Sequence, residues 1–386
     1  MPTDVALVIF LLIISKSGYA FYSTLGDILH FYSHAALHHP ELIKFKEIEL
    51  QNNSLSLPLV TIANFSTVAP PKPVAVLVFG EHARELITTE VCLWLSKVLL
   101  GDHKDFLSWS QTVEAVALAA PVTQEKDLSQ WIQEWRSMIL SKLTLKVLPL
   151  ENVDGRVLWE GGDLCRRKTA SDVDLNRNWD FAWHAQSRSS EMYGGEAPFS
   201  EPQSRYLRDA AGQWKPVAFI NVHSGEWAVY TPWDSRESLG AGLLDLDPLV
   251  QKMGKICDCM AGPSGAISGY LAYGTSMDYM YARLGVKYPF TIEVYGGGDS
   301  GKLKGKRSKP LSTFNITTAA YHRRMLLQPG LNQKHHSSIL SLVANSKQVE
   351  KGCFQMFNPC DENVYREVIS HWVVSLLVML STIAAT

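Results

Sequence analysis

The sequence predicts an α/β fold: a mixed, mostly parallel central sheet with helices on both faces. Three observations lead to it. Short apolar runs rich in β-branched residues read as buried strands. Helical patterns alternate with them. The chemically distinctive residues fall at or just beyond the C-terminal ends of the runs, the edge at which open α/β sheets bind ligands.

In chain order, Val74–Phe79 is the first such run, and a helical pattern over Leu86–Leu100 follows it after a short turn. A second helical pattern, residues 128–143, leads into an apolar run at 143–150. Residues 217–222 and 290–294 supply two further strands. Near the end, Val364, Val368, Trp372, Leu376 and Leu380 recur at helical spacing behind Asp361, Glu362 and Asn363, which can cap a helix. That stretch reads as a terminal helix packed on the sheet, with the tail of a GPI-anchor signal as the lesser alternative.

With 386 residues, 46% of them apolar and 19% charged, the chain can bury a large core. A formal net charge of −2 gives no field for attracting polyanions, which excludes nucleic-acid binding as a function class. Residues 5–14 are an apolar run too short for a membrane span, followed by Gly18 and Ala20 at the −3 and −1 positions of a cleavage site. We therefore expect a signal peptide at 1–20 and a single domain at 21–386. A basic segment at about 299–349 interrupts it, with nine Lys or Arg and no acid between residues 300 and 349, and reads as a solvated loop. Sequons at Asn52, Asn64 and Asn315 and an even number of cysteines suit the secretory pathway, whether extracellular or in a vacuole or ER lumen. Cys92, among apolar neighbours, reads as a buried free thiol, and Cys257 and Cys259 as disulfide ends. Nothing suggests an oligomer, and a monomer is expected.

The run Gly80-Glu81-His82-Ala83-Arg84-Glu85 sits between a strand and a helix, placing an imidazole and a carboxylate on one side of a tight turn. Catalytic zinc sites use three such ligands and leave a position open. His-x-x-Glu alone is common by chance, and a third ligand must come from elsewhere. His223, at the end of its strand, is the best placed; His322, His335 and His336 lie in the basic segment.

These residues stand in a longer series: His82-Ala83-Arg84-Glu85, then Glu151-Asn152-Val153-Asp154-Gly155-Arg156, then Arg167-Lys168-Thr169, then Asp174-Leu175-Asn176-Arg177-Asn178-Trp179, then His223-Ser224, Tyr270 and Phe290-Thr291-Ile292-Glu293. In this order the chain resembles the zinc carboxypeptidases of the carboxypeptidase A and B superfamily, and within it a branch found in plants. The resemblance implies the zinc carboxypeptidase fold, one Zn²⁺ per chain on His82, Glu85 and His223, and hydrolysis of single C-terminal residues from peptides or proteins. It assigns Glu293 as the general base, and the physics agrees, because a carboxylate between Ile292 and Val294 in an apolar strand is costly without a task. It assigns Asn176 and Arg177 to the clamp on the substrate carboxylate, for which a guanidinium is well shaped. Asp174 matches the carboxylate that orients a metal-bound imidazole, here His82. Arg167 matches the oxyanion donor, with Arg166 as competitor. Tyr270 matches the tyrosine that closes over substrate, with Tyr273 and Tyr279 nearby. Met277 falls at the base of the pocket for the departing side chain and implies a neutral, apolar preference.

The residues between Ala20 and His82 are too few for the long activation domain of pancreatic-type members, so the resemblance implies an enzyme made active. Two other classes share the fold. A zinc amidohydrolase acting on a non-peptide amide would not need the clamp, and a silent peptide-binding protein would be expected to lack a ligand or the base.

Overall fold

The computed structural model describes residues 21–50, 55–66, 70–120, 126–296 and 352–386. The expected signal segment, the sequons at Asn52 and Asn315, and the basic segment from residue 299 lie outside the described residues.

Eight strands form one sheet: β1 (Ile43–Leu50), β2 (Leu55–Ile62), β3 (Val74–Phe79), β4 (Thr144–Leu148), β5 (Ala218–His223), β6 (Trp227–Thr231), β7 (Met260–Pro263) and β8 (Tyr288–Val294). Their spatial order is β1-β2-β4-β3-β5-β8-β6-β7. The central four, β4, β3, β5 and β8, are parallel. On one side β2 and then β1 add antiparallel. On the other β6 adds antiparallel, and β7 lies parallel to it. The sheet is thus mixed and mostly parallel, as the alternation of strands and helices predicts.

The helices used below are α1 (Leu25–His38), α2 (Leu86–Leu100), α3 (Leu128–Lys142), α4 (Ser276–Leu284) and α5 (Glu362–Ala384). Their two-sided cover explains why the central strands read as unbroken apolar runs. Along β3 the side chains alternate between layers: Ala75, Leu77 and Phe79 join the core under α2, α3 and α5, whereas Val76 and Val78 pack with Met280 of α4 on the other face. Helix α2 covers the predicted residues and ends at Gly101, whose φ of 95° supplies the left-handed cap.

The terminal helix is core. Asp361 caps its first turn, the Trp372 indole donates to the Val294 carbonyl at 2.8 Å, and the Tyr365 hydroxyl donates to Glu90 at 2.8 Å. Residues 352–384 are long and apolar enough to cross a membrane, yet 83% of the most apolar window is buried inside the protein. Cys165 and Cys353 form a disulfide that ties the loop before Asp174 to the segment preceding α5. Cys257 pairs with Cys259, and Cys92 is the buried free thiol its neighbours suggested.

Candidate active site

Three strand ends build the site. β3 ends at Phe79, and Gly80 turns the chain at φ +62°, where a Cβ would lie 2.5 Å from the Leu150 side chain. Beyond that turn come Glu81 and His82, and then Glu85, the N-cap of α2. His223 is the last residue of β5 and is in register with Glu293 of β8. Asn152 locks the neighbouring loops together: its Oδ1 caps a helix through the Gly155 N–H, and its Nδ2 donates to the carbonyls of Glu81 and Arg167.

The donor atoms converge. His82 Nδ1 lies 2.7 Å from Glu85 Oε1, and His223 Nδ1 lies 3.2 Å from Glu85 Oε2. The two Nδ1 atoms are 3.1 Å apart. Each outer nitrogen faces a buried carboxylate: His82 Nε2 is 3.1 Å from Asp174 Oδ1, and His223 Nε2 is 2.9 Å from Glu81 Oε2. With both Nε2–H groups given to carboxylates, two Nδ1 lone pairs point at one another, and that arrangement asks for a shared cation. Two nitrogens bound to one tetrahedral zinc at about 2.1 Å stand about 3.4 Å apart, so the donor set fits the metal. Glu81, His82 and His223 also offer donor atoms within 4.8 Å of one another. The 2.9 Å contact of Glu81 with the outer nitrogen of His223 casts it as that ring's partner, whereas Glu85 faces both inner nitrogens.

A cavity of about 210 Å³ opens beside these atoms. Arg167 and Arg177 line it, and so do Asn176 and Tyr270. Arg167 is fixed by Asp174, with Nε and Nη2 at 2.9 and 2.8 Å from Oδ2. Burial alone would raise the Asp174 carboxyl, but the cations Arg167 and Arg177 and the His82 ring hold it well below the usual range. Arg166 turns away to Asp172 at 2.9 Å. Asn176 accepts from the Ser276 backbone at 3.0 Å. The Arg177 guanidinium donates to its neighbour's carbonyl, while its buried Nε has no partner, a donor poised for an anion. Tyr270 is 51% exposed at the rim. Half-buried Glu293 accepts the Glu226 N–H at 3.3 Å, and burial, followed by the charges of Glu226 and Glu85, pushes its carboxyl well above the ordinary value.

Met277 is fully buried against Ala228 and Tyr230, behind the part of the cavity wall that Tyr230 lines. The surface exposed there is polar and acidic. Asp234, 5% exposed, reaches it with the Ser264 and Thr275 hydroxyls on its carboxylate, and Glu226 reaches it while accepting from the Tyr230 hydroxyl.

Sequence reasoning missed Glu81, Glu226 and Asp234. Asp234 carried a readable signal, since it follows the apolar run from Trp227 to Trp233 and is as costly to bury there as Glu293. Glu81 carried none that separates it from Glu85, because either side of His82 offers a carboxylate.

The chain matches the zinc carboxypeptidase family over residues 28–310. It is 26% identical over 288 residues to carboxypeptidase B of Astacus astacus, covering 69% of this chain and 84% of that one. To carboxypeptidase A2 of Mus musculus it is 27% identical over 300 residues, covering 73% of this chain but 64% of that longer protein. Among solved structures, thrombin-activatable fibrinolysis inhibitor superposes with a TM-score of 0.66 at 21% identity, over 96% of this chain and 77% of that one. Carboxypeptidase A of Helicoverpa armigera gives 0.59 at 20% identity, over 77% and 73%. At those identities the structural likeness speaks for the fold.

Proposed function

The chain belongs to the zinc carboxypeptidase family, and on that footing we propose that it is a secreted metallocarboxypeptidase that removes single C-terminal residues from peptides or proteins. The observation that carries this reading is the meeting of two imidazoles, a carboxylate, a second half-buried carboxylate and two guanidiniums around one cavity.

His82, Glu85 and His223 would hold the ion, with Asp174 and Glu81 fixing the two rings. Zinc, when bound, polarises the scissile carbonyl and makes water a nucleophile at neutral pH. Glu293 accepts the proton of the attacking water and returns it to the leaving amine; a carboxylate pushed above its ordinary value is suited to both directions. Arg167, locked on Asp174, faces the oxygen on which negative charge grows. Arg177 and Asn176 bind the terminal carboxylate, and the unpaired Nε of Arg177 is the donor that such an anion would satisfy. Tyr270 at the rim closes over the substrate. Asp234 and Glu226 give the pocket for the departing side chain an acidic wall, which favours C-terminal Lys or Arg over an apolar residue. The Cys165–Cys353 disulfide supports passage through an oxidising compartment.

The test uses a C-terminally varied peptide library, with and without a chelator. Release of single C-terminal residues that stops on metal removal is the expected result, and Glu293→Gln should abolish it while zinc stays bound. Cleavage only of non-peptide amides, or turnover surviving in Glu293→Gln, would sink the proposal.

A further inference from the structure

We propose that α1 carries a second metal site, remote from the cavity, in which His34 and His38 chelate one divalent transition ion such as Zn²⁺, Cu²⁺ or Ni²⁺. This rests on α1 alone and stands whether or not the catalytic reading does.

Helix α1 repeats histidine at four-residue spacing: His30, His34 and His38, all exposed. Its opposite side is anchored, with Ile28, Tyr32 and Ala35 buried in the core. The backbone that presents the imidazoles is therefore already ordered. Side chains four apart on a helix have Cβ atoms about 5–6 Å apart, which two bonds of about 2.1 Å to a common ion can bridge. Imidazole suits Zn²⁺, Cu²⁺ and Ni²⁺ in particular.

The ring separations fall on either side of that in the buried pair, and the His34 and His38 rings are stacked. His30 and His34 have centroids 6.1 Å apart, and His34 and His38 3.8 Å. The buried pair, His82 and His223, whose nitrogens already converge, stands between them at 4.7 Å. Exposed side chains can cover that difference by rotation about χ1 and χ2.

Two features favour the pair nearer the C-terminus. His38 Nδ1 lies 2.9 Å from the His34 carbonyl oxygen, to which it donates. That bond fixes the tautomer and leaves the Nε2 lone pair outward, the same division of duties that the carboxylates impose on the buried rings. His34 and His38 also occupy the last turns of the helix, whose dipole favours a positive charge there. With two protein ligands, the remaining positions would be filled by water, so the ion exchanges readily.

The experiment is equilibrium dialysis of the untagged full chain, its catalytic zinc loaded, against Zn²⁺ alone, with bound metal counted by atomic emission. Two ions per chain are expected. His34→Ala and His38→Ala, both exposed and neutral-to-favourable for the helix, should each weaken the second ion at least tenfold without changing peptide hydrolysis. Cu²⁺ substituted at that site should show hyperfine coupling to two nitrogens. If neither His34→Ala nor His38→Ala lowers the number of ions that the unmodified protein binds, the proposal is overturned. Loss in His34→Ala with retention in His38→Ala would overturn the assigned pair and point to His30 with His34.

Discussion

His82 and His223 lie at the sheet edge with 3% and 2% of their surface exposed, whereas His34 and His38 lie on the open face of α1. The two nitrogens of the buried pair already meet at 3.1 Å, whereas the exposed rings are stacked 3.8 Å apart and would have to rotate to share an ion, and the outer nitrogens differ as well. In the buried pair each Nε2 is held by a carboxylate, Asp174 or Glu81, and each carboxylate is itself fixed, by Arg167 and by Asn221. In the exposed pair only His38 is held, by a carbonyl of its own helix. Burying charge in the first case costs stability, and the return is a geometry that needs no rearrangement when metal and substrate arrive. The second case costs the fold nothing and holds an ion loosely. Proximity of ligands sets whether a metal can bind, and the groups behind them set how firmly and for what purpose.

The contrast between held and solvated groups can be broken at several points. The largest effect is expected at Arg167, held by Asp174 beside the cavity, against its neighbour Arg166, which is held away from the cavity by Asp172. Arg167→Ala should lower kcat by about 10²–10³, the usual cost of one oxyanion donor, while Arg166→Ala should change it little; equal losses would erase the distinction. Next comes the ring partner. Glu81→Gln should weaken zinc about 10–100-fold in competition with a chelator, whereas Glu85→Gln should leave the protein without stably bound zinc. The reverse outcome would move Glu81 into the ligand set and Glu85 out of it. The smallest effect concerns substrate choice. Asp234→Ala should lower kcat/KM for peptides ending in Lys by about tenfold to a hundredfold, the worth of a hydrogen bond to a charged group, and leave apolar C-termini unaffected. If Lys and Leu peptides suffered alike, the acidic wall would not be what selects.

The parts of the fold that were legible in the sequence are those where one physical demand dominates. α2 was bounded correctly because its apolar helical pattern runs from Leu86 to Leu100, after which Gly101 takes the left-handed cap. The parallel strands were legible because both faces are buried. The β1–β2 hairpin was not foreseen, since β1 alternates Lys44, Lys46, Glu47 and Glu49 with half-covered apolar residues and so lacks a continuous apolar run. In the site, the ordered motifs named His82, Glu85, His223, Glu293, Arg167, Asn176, Arg177 and Tyr270, which line one cavity, and left out Glu81, Glu226 and Asp234. At Met277, register along the chain locates the residue, but only the direction of its side chain on α4 decides whether it meets a substrate. Glu81 illustrates the same limit, since the choice between two carboxylates flanking one histidine is made by the turn at Gly80.

Helix α5 was described above as core, and its position in the chain has a consequence for how the protein is made. Its apolar face fills the space beside α2 and α3, elements that leave the ribosome some two hundred residues earlier. Among the described residues, α5 covers surface of those helices that stays exposed until it has been made. A chain cut short within α5 is therefore expected to keep its catalytic motifs and lose stability, because the apolar faces of α2 and α3 would stay exposed.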